Sequence, residues 1–115
     1  MAIGARLSGD AQVRYAHVGA IDTARTRIVV VPWSTPGVAA MTLGRWILVR
    51  RGHEADAGLI AHELVHVEQW RVHGVFRFLR AYLAGYARGR RAGLGHRAAY
   101  RAIPFEVEAR LRSGA

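Results

Sequence analysis

No cysteine occurs among the 115 residues, which excludes a disulfide scaffold, a thiol nucleophile and every thiolate metal site. Any metal must therefore sit on histidine, aspartate or glutamate. Lysine is absent as well, so all 17 basic residues are arginine. With alanine and glycine so abundant beside it, that pattern reads as coding bias more than as a choice imposed by a partner. Acidic residues are scarce at 8, and the net charge of +9 sets up a positive field that favours acidic partners, nucleic acid or anionic lipid. Long apolar runs are missing too. Nothing approaches the ~20 residues that span a bilayer, and the apolar stretch over 75–86 is interrupted by Arg77 and Arg80. The first ten residues lack the apolar core of a signal peptide. The expectation is a soluble, cytoplasmic chain without a membrane span.

What is present fits one globular domain over 1–115, with 51% hydrophobic and 22% charged residues. The first half reads as strands. Gln12–Val18 alternates polar and apolar residues, and Arg27–Val31 is β-branched up to Pro32. A loop is expected over Ser34–Val38. Met41–Leu43 and Trp46–Val49 flank Gly44-Arg45, a two-residue turn with glycine first. The second half reads as helices. Asp56 caps one whose apolar positions Leu59, Ile60, Leu64, Val65 and Val67 recur at helical spacing, ending near His73 at Gly74. Val75, Phe76, Leu79, Leu83 and Tyr86 mark the apolar stripe of a second. Gly93-Leu94-Gly95 breaks it, a short helix over His96–Ala102 follows, and Pro104 opens a last one through Leu111.

Chemistry concentrates in His62-Glu63-Leu64-Val65-His66. Residues four apart share a helical face, so both imidazoles can meet one Zn²⁺. Glu63 projects beside them and can serve as general base toward a metal-activated water. The flanking Leu59, Ile60, Ala61 and Val67 are apolar, as a helix beneath a sheet requires.

A catalytic zinc usually has three protein ligands. His73 lies seven residues past His66, but the axial rise of about 10 Å is too great if the helix continues. His53, His96 and His17 have no spacing support. Glu106 and Glu108 lie in an otherwise apolar helical segment, about 200° apart around the axis, so only one of them can face a metal. Each could equally pair with Arg101, Arg110 or Arg112. Tyr100, His96 and His53 are candidates for stabilising a transition state.

His62-Glu63-Leu64-Val65-His66, followed by Glu106-Val107-Glu108-Ala109 on a later helix, resembles the gluzincin metallopeptidases, and the small size is similar to minigluzincins and related small bacterial zincin-like proteins. The resemblance covers roughly 41–111. It implies an α+β zincin-like fold, with a small N-terminal β-sheet packed on the HExxH helix and two to three further helices. It also implies zinc held by His62, His66 and Glu106, Glu63 as base, a peptide or protein substrate, and Ala109 as the small residue where two helices meet. The strands over 41–49 look like the sheet edge that receives an extended substrate. Arg110 stands where such proteins often carry aspartate, and Glu68 where they are usually apolar. Glu108 and Tyr100 are left as supporting candidates. The alternative expectation is a non-catalytic zincin-like domain whose Arg77, Arg80, Arg88, Arg90, Arg91, Arg97 and Arg101 bind nucleic acid or acidic protein, with Trp70, Tyr82 and Tyr86 available to stack on bases.

Overall fold

The computed structural model describes residues 4–32 and 38–114. The chain is α+β. A four-stranded sheet has the order β1-β2-β4-β3, with β1 at Ala5–Arg6, β2 at Arg27–Val31, β3 at Ala40–Leu43 and β4 at Trp46–Arg50. Strand β2 runs parallel to β4, while β1 and β3 pair antiparallel on the two outer sides. The expected hairpin forms, with Thr42 opposite Ile47 and Gly44 at φ 63° in the turn. Its inner strand alternates as a half-covered strand must: Ile47 and Val49 are fully buried and Trp46 and Arg50 exposed. The outer strand of the pair is therefore β3, and β4 lies inside the sheet. The expected loop falls, apart from Val38, outside the described residues.

The segment Gln12–Val18 is helical rather than a strand. Helix α1 spans Gly9–Arg14 and a 3-10 turn covers Ala16–Val18, followed by α2 at Ala20–Arg25. Ser8 caps α1, its hydroxyl accepting from the Ala11 amide at 3.1 Å, and Asp10 sits in the first turn. Leu7, Ala11, Tyr15 and Val18 turn inward at a helical period, whereas Val13 points into solvent, 78% exposed. The local alternation was a coincidence of three residues. The cap outweighs it.

Beneath the sheet lies α3, Ala57–Arg91, capped by Asp56, whose carboxylate accepts from Leu59 N at 3.1 Å. Its first limb buries Ile60, Ala61, Leu64, Val65 and Val67 against Ile47 and Val49. Each such aliphatic side chain contributes about 1.5–3 kcal/mol on burial. Gly74 interrupts the helix at φ 77°, ψ 166°, a conformation open essentially to glycine alone. The break expected there is present.

The second limb corrects the expected stripe. Val75, Phe76, Leu79 and Leu83 are exposed, Phe76 by 88%, and the inward face is Phe78, Tyr82, Gly85 and Gly89. Hydropathy counts side chains, and the close contacts here are made by residues without one. A Cβ on Gly85 would stand 3.0 Å from Pro104 Cδ, and one on Gly89 would stand 3.0 Å from Ala99 Cα. Those glycines let α4 (His96–Arg101) and the start of α5 (Pro104–Ser113) settle onto α3. Ala109 is fully buried at the meeting of α5 with the first limb. Phe78 joins the pieces, stacked on Trp70, Tyr82 and Phe105 at centroid separations of 4.6, 5.4 and 5.1 Å.

Two ion pairs tie the N-terminal region down. Arg71 Nε donates to Asp22 Oδ1 at 2.8 Å, and Arg112 bridges Glu68 while also donating to Val18 O at 3.3 Å.

Candidate functional site

His62 and His66, one turn apart on the first limb of α3, project toward α5, which supplies Glu106 from 44 residues beyond His62. His62 Nε2 lies 3.0 Å from Glu106 Oε1, and His66 Nε2 lies 2.7 Å from Oε2. The three donor atoms fall within 4.8 Å of one another, and the group can hold a metal ion. Tetrahedral zinc with bonds of about 2.0–2.1 Å separates its ligand atoms by roughly 3.3 Å. The residues present fit zinc once the carboxylate draws back by a few tenths of an ångström. Two imidazoles and one carboxylate, with a further position open toward a cleft, also make up a donor set that catalytic zinc uses.

Electrostatics hold the set ready. Burial raises the Glu106 carboxyl, but hydrogen bonds from His62 and His66 outweigh it and keep the group well below the ordinary value of 4.5. Tyr82 adds another bond, its hydroxyl donating to Glu106 Oε2 at 2.8 Å. Burial would depress His66, yet the bond to Glu106 and that group's charge leave it raised. On the far side of the His66 ring, Nδ1 donates to Gln69 Oε1 at 2.7 Å, and Gln69 Nε2 donates in turn to Glu108 Oε1 at 2.6 Å and to Phe105 O at 3.0 Å. With Nδ1 engaged by Gln69, it is Nε2 that faces Glu106, and loss of the Nε2 proton would free its lone pair for a metal.

Glu63 is buried and sits under strand β3. The Thr42 hydroxyl lies 2.6 Å from Glu63 Oε2, which fixes the carboxylate without using both its oxygens. A cleft of about 820 Å³ opens above His62, Glu63 and Glu106, between Val38, Ala39 and Ala40 on one side and His96, Arg97, Tyr100 and Arg101 on the other. The Tyr100 phenol, pushed up to about 12 by burial and the Glu106 charge, keeps its proton at neutral pH.

Glu106, and not Glu108, thus meets the two histidines, and neither makes an ion pair with Arg101, Arg110 or Arg112. The other histidines stay apart. His73 packs on Phe105, His96 Nδ1 lies 2.8 Å from the Tyr86 hydroxyl, and His53 and His17 do not join the cluster. The proposed base-stacking rings are engaged internally: Trp70 on Phe78, Tyr82 on Phe78 and Glu106, Tyr86 on His96. Three contributors escaped sequence reading. Gln69 stands at i+3 from His66, a spacing that could have revealed it. Thr42 and Tyr82 depend on how the sheet and the second limb pack, for which the sequence carries no local signal.

The family model of the eCIS core domain matches residues 33–74. That segment carries β3, β4 and the first limb of α3 with His62, Glu63 and His66, and it ends at the Gly74 break. Tyr82, Tyr100 and Glu106 lie beyond it. No curated protein and no solved structure matches the chain. Among the described residues no helix is long and apolar enough to cross a membrane.

Proposed function

We propose that this chain is a zinc metallopeptidase of the gluzincin type. The observation that carries the reading is the convergence of His62, His66 and Glu106, with Glu63 beside them and held by Thr42 of the outer strand. Zinc bound by these three residues would supply Lewis acidity toward a water molecule and the scissile carbonyl. Every other part falls to the chain. An extended peptide adds to the outer side of β3 by main-chain hydrogen bonds, which sets its carbonyl over the cleft floor. Glu63 takes a proton from the attacking water and delivers it to the departing amine nitrogen as the C–N bond breaks. Tyr100, protonated and lining the same cleft, donates to the oxygen on which charge develops. Tyr82 and Gln69 keep Glu106 and His66 in place.

The test pairs metal content with turnover. Wild-type protein is expected to retain stoichiometric zinc after supplementation, and His62→Ala and Glu106→Ala to lose it. Glu63→Gln is expected to retain zinc and lose cleavage of a peptide library, since an amide cannot accept the proton. Full cleavage by Glu63→Gln, or no zinc in wild type, would overturn the reading.

A further inference from the structure

The cleft walls differ sharply in charge. Val38, Ala39 and Ala40 contribute small apolar side chains and no ionisable group. Opposite them, Arg97 and Arg101 lie four apart on α4 and so share one face, with Tyr100 adjacent, and Arg110 joins from α5. Arg110 donates to Arg101 O at 2.5 Å, which draws its guanidinium against the Arg101 backbone. Among the described residues neither Arg97 nor Arg101 reaches a carboxylate, and both are exposed. Of the acids lining the cleft, Glu63 and Glu106 belong to its floor, and a divalent ion bound there would offset their two charges. Asp56 alone is left to face three guanidinium groups, and its carboxylate is occupied in capping α3. With the floor offset in this way, the cavity would keep an excess of positive charge within reach of a peptide lying on β3.

We propose that this wall selects acidic peptides: Asp or Glu side chains beside the scissile bond pair with Arg97 and Arg101. The proposal rests on the peptidase reading for the direction of the bound chain and for the ion that offsets the floor, and on the arginine wall for its charge preference. Overall basicity is a weaker source of selectivity. Guanidinium groups spread over an exposed surface are screened within about 8 Å at physiological salt, whereas groups lining a concave wall act on the ligand together. Two charge-assisted bonds in a half-open cleft give a preference on the order of tenfold over the uncharged amide.

The experiment measures binding without turnover. Fluorescein-labelled octapeptides carrying Glu, Gln or Lys at their central positions are titrated by anisotropy into zinc-supplemented Glu63→Gln protein at physiological salt. The Glu peptide is expected to bind about tenfold more tightly than the Gln peptide, with the Lys peptide weakest. Changing Arg97 and Arg101 together to Gln should erase the difference. Arg101→Glu should shift the preference toward the Lys peptide. Changing Arg88 and Arg91, which lie outside the cleft, to Gln should leave the preference intact. Equal binding of the three peptides, or equal losses from the Arg88/Arg91 and Arg97/Arg101 variants, would overturn the proposal. Cleavage of the peptide library by zinc-supplemented wild-type protein, run beside the titration, separates the two claims. Acid-selective binding by the Glu63→Gln protein, with no library cleavage by zinc-supplemented wild type, sinks the peptidase reading alone. Library cleavage indifferent to acidic residues sinks this inference alone.

Discussion

Gln69 closes on His66 one turn back along α3, its Oε1 2.7 Å from Nδ1, and passes the contact on to Glu108 and Phe105 O. The amide has one orientation that serves all three partners, so the ring it touches has one tautomer. Gln69→Leu is expected to lower zinc affinity about 10–100-fold, the usual cost of losing such a support. Glu108→Ala should cost less, because Phe105 O still holds the amide. Competition against a chromophoric chelator ranks the variants, and a leucine variant with wild-type affinity would show that the ring needs no support.

Thr42 holds Glu63 through a 2.6 Å bond from the outer strand of the sheet, the strand on which the proposed peptide would lie. Thr42→Val keeps the shape and removes the donor. Zinc content should stay unchanged while kcat falls about tenfold, since a general base must sit within hydrogen-bond reach of its proton. A parallel fall in zinc content would instead assign Thr42 to the folding of the sheet.

Gly89 faces Ala99 so closely that a Cβ would lie 3.0 Å from a backbone carbon. The better helix propensity of valine than glycine offers only a few tenths of a kcal/mol, while overpacking a close contact costs about 1–3 kcal/mol. Gly89→Val should therefore lower stability by roughly 1–2 kcal/mol in urea unfolding. It should also weaken zinc binding, because α4 leads directly into the helix that carries Glu106.

The Glu68–Arg112 pair predicts part of the acid response. The Arg112 hydrogen bond, opposed by burial, holds the Glu68 carboxyl below its ordinary value of 4.5. A depressed carboxyl stabilises the fold above that value and loses its contribution as pH falls through the lowered one. Both partners are partly exposed, so the effect is below about 1 kcal/mol. Urea midpoints measured from about pH 6 down to about pH 3 should fall less steeply in Glu68→Gln than in wild type, and identical slopes would rule the pair out.

The helix carrying His62, Glu63 and His66 was legible because its signals agree: an aspartate cap, apolar residues at helical spacing, a glycine stop. The β2 strand and the β3–β4 hairpin were legible for the same reason, through β-branching and a turn glycine. Glu106 was legible only through a family resemblance, since spacing alone leaves it level with Glu108. Gln12–Val18 misled because the alternation rests on Val13, Tyr15 and Val18, of which only Tyr15 and Val18 join Leu7 and Ala11 on the buried helical face. Val75, Phe76, Leu79 and Leu83 misled because the second limb is positioned by Gly85 and Gly89, and a hydropathy pattern gives no weight to an absent side chain. Tyr82 and Thr42 became visible only once that limb and the sheet were in place.

His62 and Glu106 stand 44 residues apart in sequence yet 3.0 Å apart in space. An ion shared by them would act as a covalent staple does, removing conformations from the unfolded chain. For a loop of that length the chain-entropy account gives about 4 kcal/mol. The second limb of α3 and all of α4 lie inside that loop, and with them Arg97 and Arg101 of the cleft wall. A chelator that emptied the site would then also loosen the wall that carries Arg97 and Arg101. In a chain without cysteine, the residues that could hold a metal ion are also those best placed to cross-link the fold.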